Sequence, residues 1–156
     1  MDVYLNGGRA RLSDVDLLGE GGEARVYRFG DQAVKLFHKP SPEKSRKLAA
    51  FPKNLPAEVV APTALVHDQQ GGVIGYTMPA VLGHEELARL TSRKWREGAV
   101  SNTALLELFG KLGNLLTRLH VAGVVAGDLN DGNVLFDRGI ALIDADSMQF
   151  ANLPCV

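Results

Sequence analysis

The sequence predicts an α+β fold with a strand-rich amino-terminal half and a helical carboxy-terminal half. Short alternating apolar runs, separated by Gly and Asp turn signals, occupy most of residues 1–79. From Thr103 to His120, apolar residues recur at spacings of three and four, as expected of a long amphipathic helix. The 156 residues suit one domain or two small lobes.

Composition and charge argue against several classes of partner. Seventeen Lys and Arg balance eighteen Asp and Glu, so no global basic field attracts nucleic acid or an anionic membrane. One aromatic among three basic residues at positions 93–96 is too small a footprint for a nucleic-acid interface. No apolar run approaches a membrane span, and no signal peptide is recognisable. Cys155 is the only cysteine, which excludes an internal disulfide and fits a cytoplasmic protein.

Five strands and one helix are expected in the amino-terminal half. The helix has Ser41 as its capping residue and Pro42 at its first position, and we expect it to reach about Phe51, before Pro52. The strands are expected over residues 15–18, 25–29, 32–37, 64–67 and 73–79.

The carboxy-terminal half follows a short linker at residues 80–83. A short helix is expected over residues 85–95 and a long one over residues 103–120. Beyond Gly123 we expect a loop and then two short strands, residues 134–136 and 140–143, joined by a turn at residues 137–139.

The first chemical signal is the glycine cluster Gly19, Gly21 and Gly22. Without a Cβ atom, a turn of this kind lets backbone N–H groups approach phosphate oxygens, although a flexible hairpin turn has the same composition. No helix opens at this point and no Gly-Lys-Ser/Thr ending occurs, so the dinucleotide-binding and Walker-type loops are both excluded.

Lys35 follows in the strand of residues 32–37. From the strand paired with the glycine hairpin, its ammonium group could reach phosphates beneath the glycines, although an edge-strand lysine facing solvent would show the same pattern.

Two further signals lie in the carboxy-terminal half. Asp128 and Asn133 are five residues apart in a loop after the long helix, where a carboxylate could act as a base and an amide oxygen could bind Mg²⁺. Asp144 ends an apolar strand and Asp146 follows it. Each signal taken alone has an ordinary explanation: an Asx-rich turn for Asp128 and Asn133, and a strand-terminating Asp for Asp144.

Taken in order, the four signals resemble the protein-kinase signature set. The Gly-Asp form of the catalytic loop is similar to that of aminoglycoside-phosphotransferase-like and atypical kinases. The stretch at residues 127–136 looks most like bacterial proteins related to Ser/Thr kinases. The resemblance covers about residues 14–150. It implies a protein-kinase-like fold with an antiparallel β lobe bearing one helix (1–79), a hinge (80–83) and the start of a helical lobe (84–156).

The resemblance also implies ATP and Mg²⁺ as ligands and a protein substrate as partner. Gly19, Gly21 and Gly22 would cover the phosphates that Lys35 holds, Asn133 and Asp144 would bind Mg²⁺, and Asp128 would act as the base. The adenine would contact Val26, Ala33, Met78 at the gatekeeper position, Leu135, and the backbone of Pro79 and Val81. Glu43 or Glu58 would pair with Lys35.

Several positions depart from the family pattern. Ala24 replaces the third loop glycine, Asn130 the usual lysine of the catalytic loop, and Ala145-Asp146 the usual Phe-Gly; Ala126-Gly127 stands in place of His-Arg. A nucleotide-binding pseudokinase or scaffold is therefore the alternative to an active phosphotransferase, and the acceptor could be a protein or a small molecule.

The sequence ends ten residues after Asp146. Kinases have further substrate-binding helices at this point, so the resemblance implies an incomplete domain. Apolar surface normally covered by those helices is expected to support a dimer or a partner.

Overall fold

An antiparallel sheet dominates the amino-terminal half of the chain. The computed structural model describes residues 1–137 and 139–154, and within them this sheet has seven strands. The strands are β1 (Asp2–Leu5), β2 (Gly8–Arg11), β3 (Leu17–Glu20), β4 (Ala24–Phe29), β5 (Gln32–Phe37), β6 (Ala64–His67) and β7 (Val73–Pro79). Their spatial order is β2-β1-β6-β7-β5-β4-β3.

The expected number of strands was wrong, because residues 1–79, all described, contain seven strands and not five. The additional hairpin, β1–β2, turns at Asn6 and Gly7, which have φ angles of 48° and 80°. Asn-Gly is a strong signal for a tight hairpin turn of this kind, so the local sequence contained the information. The strand expected at residues 15–18 also lies later, because Asp14–Asp16 forms a 3₁₀ turn before β3.

The apolar core of the amino-terminal half lies on one face of the seven-stranded sheet. Two of its members, Val34 and Leu36, are two positions apart on β5, so their side chains lie on the same face of the sheet. The members of the core are Val3, Leu12, Tyr27, Val34, Leu36 and Val66.

Helix α1 (Pro42–Ala49) begins as expected and ends two residues early. The Ser41 hydroxyl accepts a hydrogen bond from the Lys44 N–H at 3.2 Å, and Pro42 occupies the first turn. At the other end, the Ala50 N–H bonds back to the Arg46 carbonyl, which closes the last turn before Phe51.

The carboxy-terminal half is mainly helical. It contains β8 (Glu85–Glu86), a 3₁₀ helix (Leu87–Thr91), α2 (Arg93–Ala99), α3 (Asn102–Val121), β9 (Val124–Val125), β10 (Val134–Phe136), β11 (Ile140–Leu142), a 3₁₀ turn (Ala145–Ser147) and β12 (Gln149–Phe150). The predicted α+β class is confirmed. Within the described residues, no helix combines the length and the apolar character needed to span a membrane.

The helix expected at residues 85–95 was wrong. Glu85 and Glu86 pair with β10, opposite Phe136 and Leu135, and α2 starts only at Arg93. Tertiary strand pairing therefore overrides the local helical preference of this segment.

The long helix is confirmed to within one residue at each end as α3. The Ser101 hydroxyl accepts a hydrogen bond from the Ala104 N–H at 3.1 Å, and Leu108, Leu115 and Leu119 form the buried stripe. The strands predicted at residues 134–136 and 140–143 are confirmed as the hairpin of β10 and β11. Of the turn predicted between them, Arg138 lies outside the described residues, as does Cys155.

The described residues divide into two compact units. The first contains Met1–Phe51 and Ala61–Val81, and the second contains Pro52–Val60 and the chain from Leu82 onward. Residues 52–60 belong to the second unit because Val59 forms a parallel bridge with Leu142, and the Val60 N–H bonds to the Leu142 carbonyl at 2.9 Å.

Candidate functional site

One face of the amino-terminal sheet collects five of the predicted nucleotide-binding residues. Lys35 on β5 pairs with Val26 on β4, and Ala33 on β5 pairs with Met78 on β7. Direct cross-strand partners share a face of the sheet, as do residues two apart on one strand. Gly19 on β3 pairs with Val26, so it belongs to the same face. We call this set, Gly19, Val26, Ala33, Lys35 and Met78, the nucleotide face.

The nucleotide face is the reverse of the apolar core described above. Tyr27, Val34 and Leu36 occupy the alternate positions on β4 and β5 and belong to the core cluster. A one-residue shift in the register of β5 would place Lys35 in that core, so burial of the core strongly specifies which side Lys35 faces.

Lys35 lies in an interior strand, between β4 and β7. It is only 8% exposed, and its ammonium nitrogen lies 5.8 Å from the centre of the Tyr76 ring, a distance suited to a cation–π contact. These observations exclude the alternative of a solvent-facing lysine on an edge strand.

The structure does not pair either candidate glutamate with Lys35. Glu43 is exposed in the first turn of α1 and forms no ion pair within the described residues. The carboxylate of Glu58 is instead bound by the guanidinium of Arg118 on α3. The pairing of residues 58–60 with β11 includes Glu58 in the second unit, which also contains Arg118.

The glycine turn, residues 21–23, joins β3 to β4. It is closed by a hydrogen bond of 2.9 Å from the Gly21 N–H to the Ala24 carbonyl. A methyl group added at Gly19, Gly21 or Gly22 would meet no atom within 4 Å, and none of the three has a positive φ angle. Neither packing nor backbone conformation therefore requires glycine at these positions. The open space is compatible with close approach of a ligand to the backbone.

The predicted hinge positions lie at and after the end of β7. Met78 is buried, whereas Pro79 is exposed and Val81 is half-buried. Pro79 lacks an N–H group, so only its carbonyl oxygen could bond the edge of an adenine ring. Ala80 lies between them and donates its N–H to the Asp31 carbonyl at 3.2 Å, which ties the end of β7 to the turn between β4 and β5.

In the second unit, asparagine side chains close the loop from Asp128 to Asn133. The Asn130 side-chain oxygen accepts hydrogen bonds from the backbone N–H groups of Gly132 (2.9 Å) and Asn133 (3.1 Å). The Asn133 side-chain nitrogen donates to the Asp128 carbonyl at 2.9 Å and lies 3.4 Å from Asp128 Oδ2. The structure therefore brings the predicted base and one predicted metal ligand into contact.

The second predicted metal ligand stands at the same end of the β10–β11 hairpin. Val134 pairs with Leu142, and a hydrogen bond of 2.9 Å from the Ile143 N–H to the Asn133 carbonyl extends the ladder by one step. Asp144 is the next residue after Ile143, so it lies one position beyond the cross-strand partner of Asn133. Leu135, the predicted adenine contact, is half-buried on β10 between its partners Ala141 and Glu86.

Asp144 adopts a left-handed backbone conformation, with φ 61° and ψ 38°. This conformation is uncommon outside glycine and costs on the order of 1 kcal/mol. Ser147 stabilises it, since its N–H and hydroxyl both donate to the Asp144 carbonyl, at 3.1 Å and 2.7 Å. Strained residues of this kind cluster at functional sites. Asp146 lies half-buried in the adjoining 3₁₀ turn.

The predicted metal ligands fit an ion that arrives with a nucleotide. Among the described residues, no group of three or more His, Cys, Asp and Glu side chains could hold a metal. Asn133 and Asp144 provide one amide and one carboxylate oxygen, the hard ligands that Mg²⁺ prefers. Mg²⁺ commonly takes its remaining ligands from phosphates and water, so two protein ligands are sufficient.

Sequence reasoning missed the structural role of Asn130. Asn130 stands at the position of the usual catalytic-loop lysine, and its side chain holds the loop on which Asp128 and Asn133 lie. An Asn followed two residues later by Gly is a typical Asx-turn signal, which could have indicated this role. The Ala88 N–H also braces the loop at the Asp131 carbonyl, at 2.9 Å, and no sequence signal predicts this contact.

Comparisons with known proteins agree with a kinase-like relationship. No protein-family model matches the chain. The chain is 30% identical over 132 residues to the DNA damage-responsive serine/threonine-protein kinase RqkA of Deinococcus radiodurans. The match covers 78% of this chain and 19% of that protein, so the chain spans only a small part of the length of the curated relative it matches.

Proposed function

We propose that this chain is the nucleotide-binding and catalytic-loop part of a protein-kinase-like phosphotransferase, with ATP and Mg²⁺ as ligands. In this proposal residues 1–79 are the nucleotide lobe, 80–83 the hinge and 84–156 the start of the catalytic lobe. The composition of the nucleotide face carries the proposal. This face places the buried Lys35 among the apolar side chains of Val26, Ala33 and Met78, and Gly19 on β3 lies at the edge of the face. A nucleotide offers the matching chemistry, a flat apolar base joined to anionic phosphates.

The roles follow from the chemistry of each group. Lys35 neutralises charge on the α- and β-phosphates, and the backbone of the glycine turn covers them. Val26, Ala33, Met78 and Leu135 contact the adenine ring, while the backbone of Pro79 and Val81 binds its edge. Asn133 and Asp144 hold Mg²⁺, which supplies positive charge to the transferring phosphoryl group.

In the proposed transfer, Asp128 accepts the proton of an acceptor hydroxyl group. The hydroxyl oxygen bonds to the γ-phosphorus as the bond from that phosphorus to the bridging oxygen breaks, which leaves ADP and a phosphorylated acceptor. Kinship with a serine/threonine-protein kinase favours a protein hydroxyl over a small-molecule acceptor.

Calorimetric titration of the chain with ATP, with and without Mg²⁺, tests the binding half of the proposal. Lys35→Ala is expected to weaken binding by about tenfold or more, since it removes a charge-assisted contact. Lys39→Ala is the matched control, because Lys39 is exposed and makes no ion pair among the described residues. Equal affinities of the two variants would contradict the role of Lys35.

ADP formation with a generic protein acceptor tests the chemical half. Asp128→Ala is expected to abolish activity while ATP binding persists. Asp131→Ala is the control, since among the described residues only the backbone carbonyl of Asp131 forms a hydrogen bond, from the Ala88 N–H. Unchanged activity in Asp128→Ala would show that the base has been wrongly assigned.

A nucleotide-binding module without catalysis is the second candidate. The position of Asn130 favours it, because this uncharged side chain is committed to its own loop and cannot offer positive charge to a transition state. Metal-assisted ATP binding without ADP formation, in wild-type protein and Asp128→Ala alike, would select this candidate.

A further inference from the structure

His38, the first residue after β5, contacts the glycine turn twice. Its backbone N–H donates to the Glu23 carbonyl at 2.8 Å, and its ring nitrogen Nε2 lies 3.0 Å from the Gly21 carbonyl oxygen. A carbonyl oxygen can only accept, so Nε2 must carry the proton in this contact. The nearest carboxylate oxygen, from Glu20, lies 4.0 Å from Nε2, beyond hydrogen-bonding distance.

A second tether joins the same turn to the start of α1. The Lys44 ammonium group lies 2.9 Å from the Glu23 carboxylate and 4.6 Å from the centre of the Phe37 ring. The Lys44 side chain is 20% exposed, and aromatic contact reduces its freedom further. The turn is therefore bound at the Gly21 carbonyl, at the Glu23 carbonyl and at the Glu23 side chain.

These contacts determine where the peptide between Gly21 and Gly22 points. In a trans peptide unit, the C=O and the following N–H point in opposite directions. Because the Gly21 carbonyl is held against His38, the Gly22 N–H is directed to the opposite side. Gly22 is exposed, and its N–H makes no hydrogen bond within the described residues. A methyl group at Gly22 would meet nothing within 4 Å, so a ligand has room to approach this donor.

Glycines make this orientation difficult to maintain without a clamp. A Gly-Gly pair has more backbone conformations available than other residues, and ordering it when a ligand binds costs free energy. A contact that orders the peptide beforehand reduces that cost and so increases affinity.

We propose that His38 is a positioning residue, which holds the Gly21–Gly22 peptide so that the Gly22 N–H is presented to a phosphate group. The identity of the anion as a nucleotide phosphate rests on the function proposed above, whereas the clamp itself does not. The sequence gives no sign of this contact, which spans 17 positions.

Two substitutions at position 38 separate the clamp from a general effect on folding. His38→Leu removes the ring donor. His38→Gln keeps one, since the Gln side-chain amide nitrogen can occupy nearly the position of Nε2. Lys39→Ala is the neighbouring control. Equal unfolding midpoints would show that all three variants fold.

The first readout is amide hydrogen exchange by NMR in the protein without nucleotide. In His38→Leu, the amides at positions 21 and 38 are expected to exchange about three- to tenfold faster, as one hydrogen bond predicts. His38→Gln and Lys39→Ala should exchange at the wild-type rate. Unchanged exchange in His38→Leu would overturn the clamp.

The second readout is ATP affinity in the presence of Mg²⁺. His38→Leu is expected to bind about three- to tenfold more weakly, and His38→Gln should restore the wild-type value. Faster exchange with unchanged ATP affinity would overturn the presentation of Gly22 to phosphate. If the wild-type protein binds no ATP, the proposed function fails, and the exchange measurements still decide whether His38 clamps the turn.

Discussion

Replacing Gly75 by alanine is expected to disrupt the centre of the amino-terminal sheet. Gly75 is buried on β7, between Leu36 on β5 and Val66 on β6, at a point where the β6–β7 register shifts. A methyl group at Gly75 would overlap the Lys35 carbonyl oxygen, and would lie 3.0 Å from the Lys35 carbonyl carbon and 3.1 Å from the Leu36 Cα. These are backbone atoms, so no side chain can rotate to relieve the contact.

The magnitude follows from what must move. The overlap requires β5 and β7 to separate by on the order of 1 Å, which takes ladder hydrogen bonds out of their normal range. Two such bonds are worth about 1 kcal/mol each, and looser packing around the fully buried Tyr76 adds a similar amount. We therefore expect Gly75→Ala to lower the free energy of unfolding by about 2–4 kcal/mol.

Urea unfolding followed by far-ultraviolet circular dichroism measures this loss. With a slope of about 2 kcal/mol per molar urea, the midpoint should fall by about 1–2 M. Gly8→Ala is the matched control, because Gly8 also lies in a strand but a methyl group there would be 3.5 Å from the Leu5 carbonyl, an ordinary contact. Midpoints of the two variants within about 0.3 M of each other would refute the argument from close approach.

Three further substitutions test other parts of the structure. The hydrogen bond from Arg118 lowers the pKa of Glu58, so its stabilising effect is present above the unfolded-state pKa and is lost as the pH falls through the lower folded-state value. Glu58→Gln should therefore cost at most about 1 kcal/mol at pH 7 and less at pH 3 by urea unfolding; an equal cost at both pH values would contradict this. Gly113→Ala, in α3 where an added methyl group meets nothing within 4 Å, should raise stability by about 0.5–1 kcal/mol, and a lower melting temperature would contradict the expectation. Ser41→Ala should cost about 1 kcal/mol through loss of the cap on the Lys44 N–H, whereas Ser41→Asp should retain stability; equal losses in both would show that capping is not the reason.

Elements whose signals are local were predicted well. The long helix, α3, was placed to within one residue at each end, because its apolar period lies within the segment itself. The start of α1 was recognised because its capping residue Ser41 and the following Pro42 are a local signal. The hairpin at Asn6-Gly7 also has a local signal, although the predicted strands did not include it.

Elements that depend on distant partners were predicted poorly. Glu85 and Glu86 have ordinary helical preferences. They form a strand because they pair with β10, which lies nearly fifty residues further along the chain. Glu58 seemed available to Lys35, yet the bridge of Val59 to Leu142 places it beside Arg118. Neither outcome follows from the residues near these positions.

The sequence by itself determined the α+β class, most strand positions, the long helix and the order of the glycine turn, Lys35, the Asp128–Asn133 pair and Asp144, since each depends on residue type and short-range spacing. Only the tertiary structure decided that Val26, Ala33, Lys35 and Met78 share one face of the sheet. It also decided that Asp144 is left-handed and that His38 holds the glycine turn. Strand register and long-range hydrogen bonds join residues far apart in the chain, and local preference contains no information about such pairings.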